Sequence, residues 1–594
     1  MNPNKVGAAA LVILVLSGVP VSAKVLESDG SQGSVQALLR AASDGDTITL
    51  PSGTFSWTAP LKITKGITLQ GNTTITGAGT ANAAATDATI IQDDTPRNGG
   101  ILDVGLNPNQ SFRLTGVTFA PGASTVFGSK DGAFNLHSNG SSPNNSVRID
   151  HCHFSQLYQG KIIHPTGWIF GVADHNLIEV RRNSFPFYVR HGSYGGTRQK
   201  LGNGAWADYP WFGTNKFWFI ETNTIIRFNV AANSLVDCDH GGRWVARHNY
   251  LRNCIPNGHG TEGGAPRGQR ANEFYDNTVD MSVAWNGGGQ RSGTSLWHDN
   301  TFTGVVSATQ KVCSLANYRE TSARAYPVWG IADGTSVWDQ NDTDGNGHYV
   351  EGQPPHLFDS GTVTTASVIS RTTGTITDST KQWTVNQWAG ATWSGPTGIY
   401  SIKSTTPGAT AYTLGSFILS NTATTITYYY YDARDTPNHL TFNVGDGYEI
   451  HRVLTMMDQN GRGKGDQVTN HPKPINATTG RAFWTHQALE PCYSWNNIHS
   501  ASKGDYGFRA SPAQPTTKLG LDYFNLGAHF AWDTTPSEVS ARYRAALNGV
   551  DYVGTFVYPH PLVSGGGSPT PTPSATPSVP PSLPKAKKAE RKFK

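Results

Sequence analysis

Phe217–Ile226 reads FWFIETNTII, and the same form returns at Arg243–Asn253 (RWVARHNYLRN), Ala271–Asp280 (ANEFYDNTVD) and Thr294–Gly304 (TSLWHDNTFTG). In each, a short strand ends in an asparagine and a large apolar residue follows two positions later. The asparagines are Asn223, Asn249, Asn277 and Asn300, in steps of 26, 28 and 23 residues. A period in the twenties built from short strands and polar turns is the mark of a solenoid. Helical repeats of that length would place apolar residues three and four apart, and these do not.

Counting back from each asparagine gives the pattern of faces. Positions five and three before it hold Trp218 and Ile220, Trp244 and Ala246, Asn272 and Phe274, Ser295 and Trp297. Positions four and two before it hold Phe219 and Glu221, Val245 and Arg247, Glu273 and Tyr275, Leu296 and His298. The first set is mainly apolar and the second carries the charges, which predicts one face in the core and one in solvent. The pattern extends upstream to Val147–Phe154 (VRIDHCHF), with Cys152 in the asparagine place, and to Ile178–Phe185 (IEVRRNSF), with Asn183 there; downstream it returns at Cys492–Ile498 (CYSWNNI). Asparagine tolerates left-handed backbone and bonds to backbone at turns, and stacked asparagines bond along the stack. The expected fold is all-β: a right-handed parallel β-helix solenoid with an asparagine ladder at one bend, an N-terminal capping helix and an inserted antiparallel β domain.

The 594 residues suit an elongated solenoid with additions better than one globule, and 66 glycines with only 15 % charged residues agree with β structure. Residues 1–23 read as a secretory signal peptide: Lys5 gives the charge, Ala8 to Leu16 the apolar run, and Val21-Ser22-Ala23 a small-residue cleavage site. No later segment is apolar enough to span a bilayer. The formal charge is +4, of which the signal carries +1 and the tail after Pro584 +5, leaving −2 for everything between. That balance lacks the basic excess nucleic-acid binding requires.

The expected organisation is 24–355 for the first part of the β-helix, 356–455 for the inserted domain, and 456–563 for the closing part. A Pro/Ser/Thr linker and a basic tail occupy 564–594. Residues 34–43 (SVQALLRAAS) form the clearest amphipathic helix and would cap the first coil; coils begin from Ile67 and continue through Ser111–Phe119. The insert is marked by Thr-, Ser- and Tyr-rich strands such as Thr422–Tyr431 (TATTITYYYY), whose aromatics fill a sandwich core or form a sugar-binding face. The chain then returns at Asp458–Asp466, with a short helix at Ser537–Leu547 and closure near Tyr558–Leu562. Of the five cysteines, Cys238 with Cys254 is a candidate disulfide in an oxidising compartment, and buried free thiols are the alternative.

The strand before each asparagine strand should stack into a second sheet. Those segments are Ala133–His137, Ile169–His175, Tyr209–Phe212, Ser234–His240, Gly258–Glu262 and Trp285–Arg291. This sheet would present His137, Asp174, Trp211, Asp237, Asp239, His240, His259, Glu262 and Arg291 on one outer wall. Outward groups on consecutive coils lie about 5 Å apart, close enough for carboxylate, imidazole and guanidinium to shift one another and act as acid and base. Separately, Asp342, Asp344 and Asn346 have the oxygen-rich spacing of a calcium loop, so Ca2+ is a candidate cofactor. Gln353 stands where such a loop ends in glutamate, and a polar turn is the plainer reading.

Val147–Phe154 resembles the V-W-I-D-H-C-x-F strand of pectate lyases in the right-handed parallel β-helix superfamily. Gln290-Arg291-Ser292-Gly293 followed by Trp297-His298-Asp299-Asn300 is similar to their Q-R-x-G strand and turn, which implies that Arg291 binds substrate. Where that family carries calcium-binding aspartates this chain has His137, and Asn286 falls in the place of the catalytic arginine. Asp237-Cys238-Asp239 with Gly258-His259-Gly260 resembles the acidic pair and G-H-G of polygalacturonases. The chain also looks like secreted bacterial β-helix proteins of unsettled function, through His259–Glu262 followed by Arg270. The expectation is a secreted monomer acting on an extracellular polysaccharide, most simply a lyase of uronic-acid polymers. Arg291 or Arg270 would bind the carboxylate and His259 or His240 would take the C5 proton, while Asp174, Trp211, Asp237, Asp239 and Glu262 would bind or orient. A glycoside hydrolase using Asp239 and Glu262, and a non-catalytic adhesin, are the alternatives.

Overall fold

The computed structural model describes residues 22–96, 99–126, 132–139, 143–181, 184–191, 212–228, 233–258, 268–285, 288–306, 312–315, 357–370, 373–389, 399–407, 416–429, 441–453, 460–461, 491–499, 507–510, 517, 519, 522–526 and 555–565. It is an all-β parallel solenoid. A twelve-stranded sheet, here the asparagine sheet, runs from Val25–Glu27 through Trp218–Glu221, Arg243–Arg247, Ala271–Tyr275 and Thr294–His298 to Tyr523–Leu526. A ten-stranded sheet follows it around the bend, from Gly53–Trp57 to Ile498–His499, and a six-stranded sheet from Leu61–Ile63 to Val236–Asp239 forms a third wall. Pairing within all three is parallel, and through the repeated coils it is in register, Trp218 opposite Trp244 opposite Asn272 opposite Ser295; the register shifts between Asn144 and Val147 and between Met281 and Trp285.

Register holds because a slip of one residue would exchange the core row for the outer row. The inward row Leu114, Ile149, Ala173, Ile220, Ala246, Phe274 and Trp297 is buried throughout. Three interior tryptophans, Trp218, Trp244 and Trp297, fill the coils where the repeat is clearest. Two of them meet interior polar partners: Trp244 Nε1 donates to Gln269 Oε1 (3.3 Å) and Trp297 Nε1 to Asn272 Oδ1 (2.8 Å). An indole buried with its N–H bonded keeps its apolar gain without a desolvation penalty.

At the bend after the asparagine sheet, Asn176, Asn223, Asn249, Asn277, Asn300 and Asn497 form one continuous ladder. Each Nδ2 donates to the next Oδ1, at 2.9, 3.2, 2.9, 3.0 and 2.8 Å in turn. The backbone N–H of each also donates to the next Oδ1, for Asn249 at 3.1 Å. Two expectations are corrected here. The upstream ladder residue is Asn176, bonded by the backbone N–H of Cys152 at 2.9 Å, while Asn183 lies outside the described residues. The left-handed residue is also the one before each asparagine: His175, Thr222, His248, Asp276, Asp299 and Asn496 have φ between 50° and 55°. The asparagine is the hydrogen-bonding post and its predecessor makes the turn.

Over its later coils the outer face of the asparagine sheet is not in solvent. Phe219, Val245, Leu296 and Tyr275 are buried in a second apolar cluster with Phe212, Phe217 and Tyr493, and Glu221 and Arg247 are buried on the same face. Thr555–Gly565 lies across them as a strap, with Phe556, Leu562 and Val563 packed on the cluster. It also completes a buried ion pair. Arg247 meets Glu221 at 2.7 Å and donates to the carbonyls of Phe556 and Val557, and Glu221 accepts from the His560 N–H at 2.8 Å. Burial pushes the Glu221 carboxyl up even with Arg247 beside it, and pulls the His560 imidazole down to about 3. The alternation expected water on this face; a segment more than three hundred residues away supplies a protein surface instead.

The helix runs Gln32–Ala41, starting two residues before the expected span because the Ser31 hydroxyl accepts from the Ser34 N–H at 3.2 Å. Its Val35 and Leu39 join Ile48, Leu50 and Trp57 in the first coils. A strand at Val25–Glu27 already pairs with Thr47–Thr49, so the stack begins earlier than Ile67. All five cysteines are buried free thiols. Residues 357–453 carry a seven-stranded antiparallel sheet, and its Trp383, Trp388, Tyr400, Tyr428 and Tyr448 are core. The helix expected at Ser537–Leu547 lies outside the described residues. Asn249→Ala should cost about 2–4 kcal/mol in denaturant unfolding, because it strips partners from Asn223 and from the Ile220 and Arg247 carbonyls. Arg247→Ala should cost about 3–5 kcal/mol and make the strap the first site of limited proteolysis. Cleavage elsewhere first would argue against the strap being held by that pair.

Candidate functional site

The third wall is where titratable groups gather. Its last three strands are Lys161–Thr166, Phe185–Arg190 and Val236–Asp239. Ile163, Phe187 and Val236 share a register row and are buried in the main core, so their neighbours His164, Tyr188 and Asp237 face the other way. Arg190 and Asp239 form the next outward row, in register with Thr166 and His137.

These side chains touch. Arg190 Nε donates to Asp239 Oδ1 at 2.6 Å, and its Nη2 lies 2.7 and 3.1 Å from the two nitrogens of His240. His240 Nδ1 sits 2.7 Å from Asp239 Oδ1, and the Tyr188 hydroxyl donates to Asp239 Oδ2 at 2.9 Å. Lys161 places its ammonium 2.9 Å from the Tyr188 ring centroid and 3.1 Å from Asp237 Oδ2. The His164 ring stacks on the other side of the cluster, 4.6 Å from Tyr188. Only the margins of Lys161, Arg190 and His240 reach the surface.

The electrostatics follow from burial and pairing. Burial would raise the Asp239 carboxyl, but Arg190 and His240 outweigh it and hold the group well below the usual carboxylate range. Burial pulls the Lys161 ammonium down despite Asp237 and Asp239. The Tyr188 phenol is driven up by burial with Asp239 beside it, so it stays a donor. The arrangement therefore offers an ionised carboxylate that orients an imidazole, a guanidinium with an outer edge, and an ammonium readier than usual to part with its proton.

Of the residues expected at the site, Asp237, Asp239 and His240 are brought together. His137 lies on the same wall three coils earlier, 3.2 Å from Asp103. Asp174 is corrected: Ile169–Asp174 belongs to the asparagine sheet, and its carboxylate is buried against Arg148. Arg270 is corrected too, being wholly buried and so unable to meet a substrate. Arg291 follows Gly288–Gln290 in a separate three-stranded sheet and is half-buried. Trp211, His259, Glu262, Asp342, Asp344 and Asn346 lie outside the described residues. Lys161, His164, Tyr188 and Arg190 were missed, although the second part of each strand, Ile163–Thr166 (IHPT) and Phe187–Arg190 (FYVR), alternates apolar and polar residues as half-buried strands do. Among the described residues no three His, Cys, Asp or Glu are grouped to hold a metal, and no helix is long and apolar enough to cross a membrane.

The depressed Asp239 carboxyl has a measurable sign. Its stabilisation is complete above the unfolded value near pH 4 and is lost as pH falls below it. Asp239→Asn should therefore give a shallower decline of stability from about pH 4 downward, read by chemical denaturation at stepped pH. An unchanged acid limb would mean Asp239 is not held ionised by Arg190.

No family model matches the chain, and no curated protein is similar to it. Among solved structures, an alginate lyase from Paenibacillus sp. str. FPU-7 aligns over 47 % of this chain and 87 % of its own, at 14 % identity and a TM-score of 0.22. A likeness that slight bears on neither the fold nor the activity of this chain.

Proposed function

We propose that the protein is a secreted lyase that cleaves uronic-acid-containing polysaccharides by β-elimination at the Arg190–Asp239–His240 cluster. The observation that carries the reading is the set of groups on the third wall: two cations, an oriented imidazole and an ionised carboxylate on consecutive coils. Elimination next to a carboxylate needs its charge neutralised, a base for the adjacent C5 proton and an acid for the departing oxygen. Arg190 takes the carboxylate with the guanidinium edge not bound to Asp239. His240, with Nδ1 directed at Asp239, takes the proton at Nε2 as Arg190 Nη2, 3.1 Å from that nitrogen, turns from it to the substrate carboxylate. Lys161, its ammonium pulled down by burial, returns a proton to the leaving oxygen. Asp239 and Tyr188 are positioning residues that fix the imidazole and the carboxylate. The leader-like residues 1–23 support export.

A hydrolase needs one of its two carboxyls protonated before the reaction. Asp239 is held ionised, so it cannot be the acid of such a pair.

Incubation with a panel of uronic-acid polymers should yield products absorbing at the ultraviolet band of an unsaturated uronate. His240→Gln should lower kcat about 10²–10⁴-fold. Arg190→Lys should act mainly through KM, since an ammonium cannot hold Asp239 and a carboxylate in one plane. New reducing ends without that absorbance, or full activity in His240→Gln, would refute the lyase reading.

A further inference from the structure

The Arg–Asp–His arrangement of the third wall recurs twice elsewhere. Arg113 grips Asp150 with two bonds of 2.7 Å, and His151 Nδ1 lies 2.7 Å from the same carboxylate. One coil on, Arg148 grips Asp174 at 2.9 and 2.8 Å, with His175 Nδ1 at 2.8 Å. Both carboxylates are buried, and the paired cations keep Asp150 well below the usual carboxylate range although burial opposes them. An acceptor-only carboxylate at Nδ1 places the proton there and leaves the Nε2 lone pair outward.

His151 and His175 expose 42 % and 33 % of their side chains, and Arg113 42 %. The two imidazoles are parallel within 6°, with centroids 5.2 Å apart. They stand at the bend beside the ladder, walled on both sides. On one side runs the hairpin Thr74–Thr76 with Ala84–Thr86, pinned by Asp87 to Thr118 and His153 and by Gly79 and Thr80 to Thr224. On the other lies the strap, where Arg148 donates to the Leu562 carbonyl at 3.0 Å.

The spacing decides what kind of ligand fits. Two imidazoles on one tetrahedral cation bring their nitrogens to within about 3.3 Å of each other, given metal–nitrogen bonds of about 2.0–2.1 Å. Parallel rings 5.2 Å apart, each fixed by its own carboxylate, aim at two separate donors one coil apart instead. A polymer that repeats its hydroxyl groups along its length supplies such donors, and the exposed edge of Arg113 supplies a partner for an acidic substituent. We infer that this bend is a second, non-catalytic binding site for an acidic polysaccharide, held along the solenoid axis by His151, His175 and Arg113. The inference rests on the polysaccharide reading above, but the site is on a different wall from Arg190 and His240.

His151→Asn with His175→Asn is the informative variant, because asparagine tolerates the left-handed backbone at both positions (φ 50° and 54°). The full chain would be titrated with polygalacturonate, alginate and a neutral glucan by calorimetry, and assayed for cleavage of a short uronate oligomer. Loss of two hydrogen bonds should weaken binding of a long acidic polymer about tenfold while leaving oligomer cleavage unchanged. Polymer affinity within twofold of native, or equal affinity for the neutral glucan, would overturn the proposal. Zinc displacing the polymer at one ion per site would also overturn it, in favour of a metal site. If native protein binds polymer through these histidines but cleaves nothing, the second site stands and the lyase reading falls. Cleavage without any effect of the double variant gives the reverse.

Discussion

From Asn176 to Asn497 the coils of this solenoid close at the same point on the circumference, and the buried asparagine amide is what enforces it. One side chain does two things at each bend. Its oxygen accepts both the backbone and the side-chain N–H of the preceding ladder residue, and its own Nδ2 reaches the carbonyls that the turn leaves unpaired. No other residue type offers donor and acceptor at that reach in so small a volume. Because each amide is satisfied only if the neighbouring coil is in register, the ladder turns a local turn preference into long-range order. The in-register core rows of those coils, and hence the placement of their outward groups, follow from it.

That constraint explains why the ladder could be read from Asn223, Asn249, Asn277 and Asn300 while the coils above them could not be placed as well. Asn176 and Asn183 each have a large apolar residue two positions on, Ile178 and Phe185. Spacing alone does not choose between them. What chooses is the inward row, in which Gly171 and Ala173 sit opposite Trp218 and Ile220. Ile169–Asp174 is buried on both faces, so it carries no alternation to betray its sheet. The resulting slip put Asp174 on the wrong wall and hid Lys161 and Arg190, whose strands then had no assigned place.

The misread outer face has a different cause. Alternation reports which residues avoid water only if one face meets water. Glu221 and Arg247 looked like solvent residues because their partners, the carbonyls of Phe556 and Val557 and the N–H of His560, are backbone atoms that leave no mark of identity in the sequence. The strap's composition is the one available clue: Phe556, Val557, Leu562 and Val563 in eight residues is more than an exposed terminal segment needs. A desolvated pair with its remaining valences bonded costs far less than one left open, so the strap and the pair require each other.

The Arg–Asp–His unit occurs three times because the solenoid makes it easy to build. An arginine on one coil reaches the aspartate of the next, and the histidine after that aspartate takes the left-handed turn (φ 50°, 54° and 49°) that folds its ring back onto the carboxylate. The local geometry is thus common to all three, and chemistry must come from what surrounds each. At the bend the rings are exposed, stacked and flanked by no ammonium within the unit. On the third wall Arg190 lies against the ring itself and Lys161 stands across Tyr188, so cation, base and acid share one small volume. The same unit is therefore a row of acceptors in one setting and a candidate proton-transfer centre in the other, and the second cation, not the dyad, is what separates them.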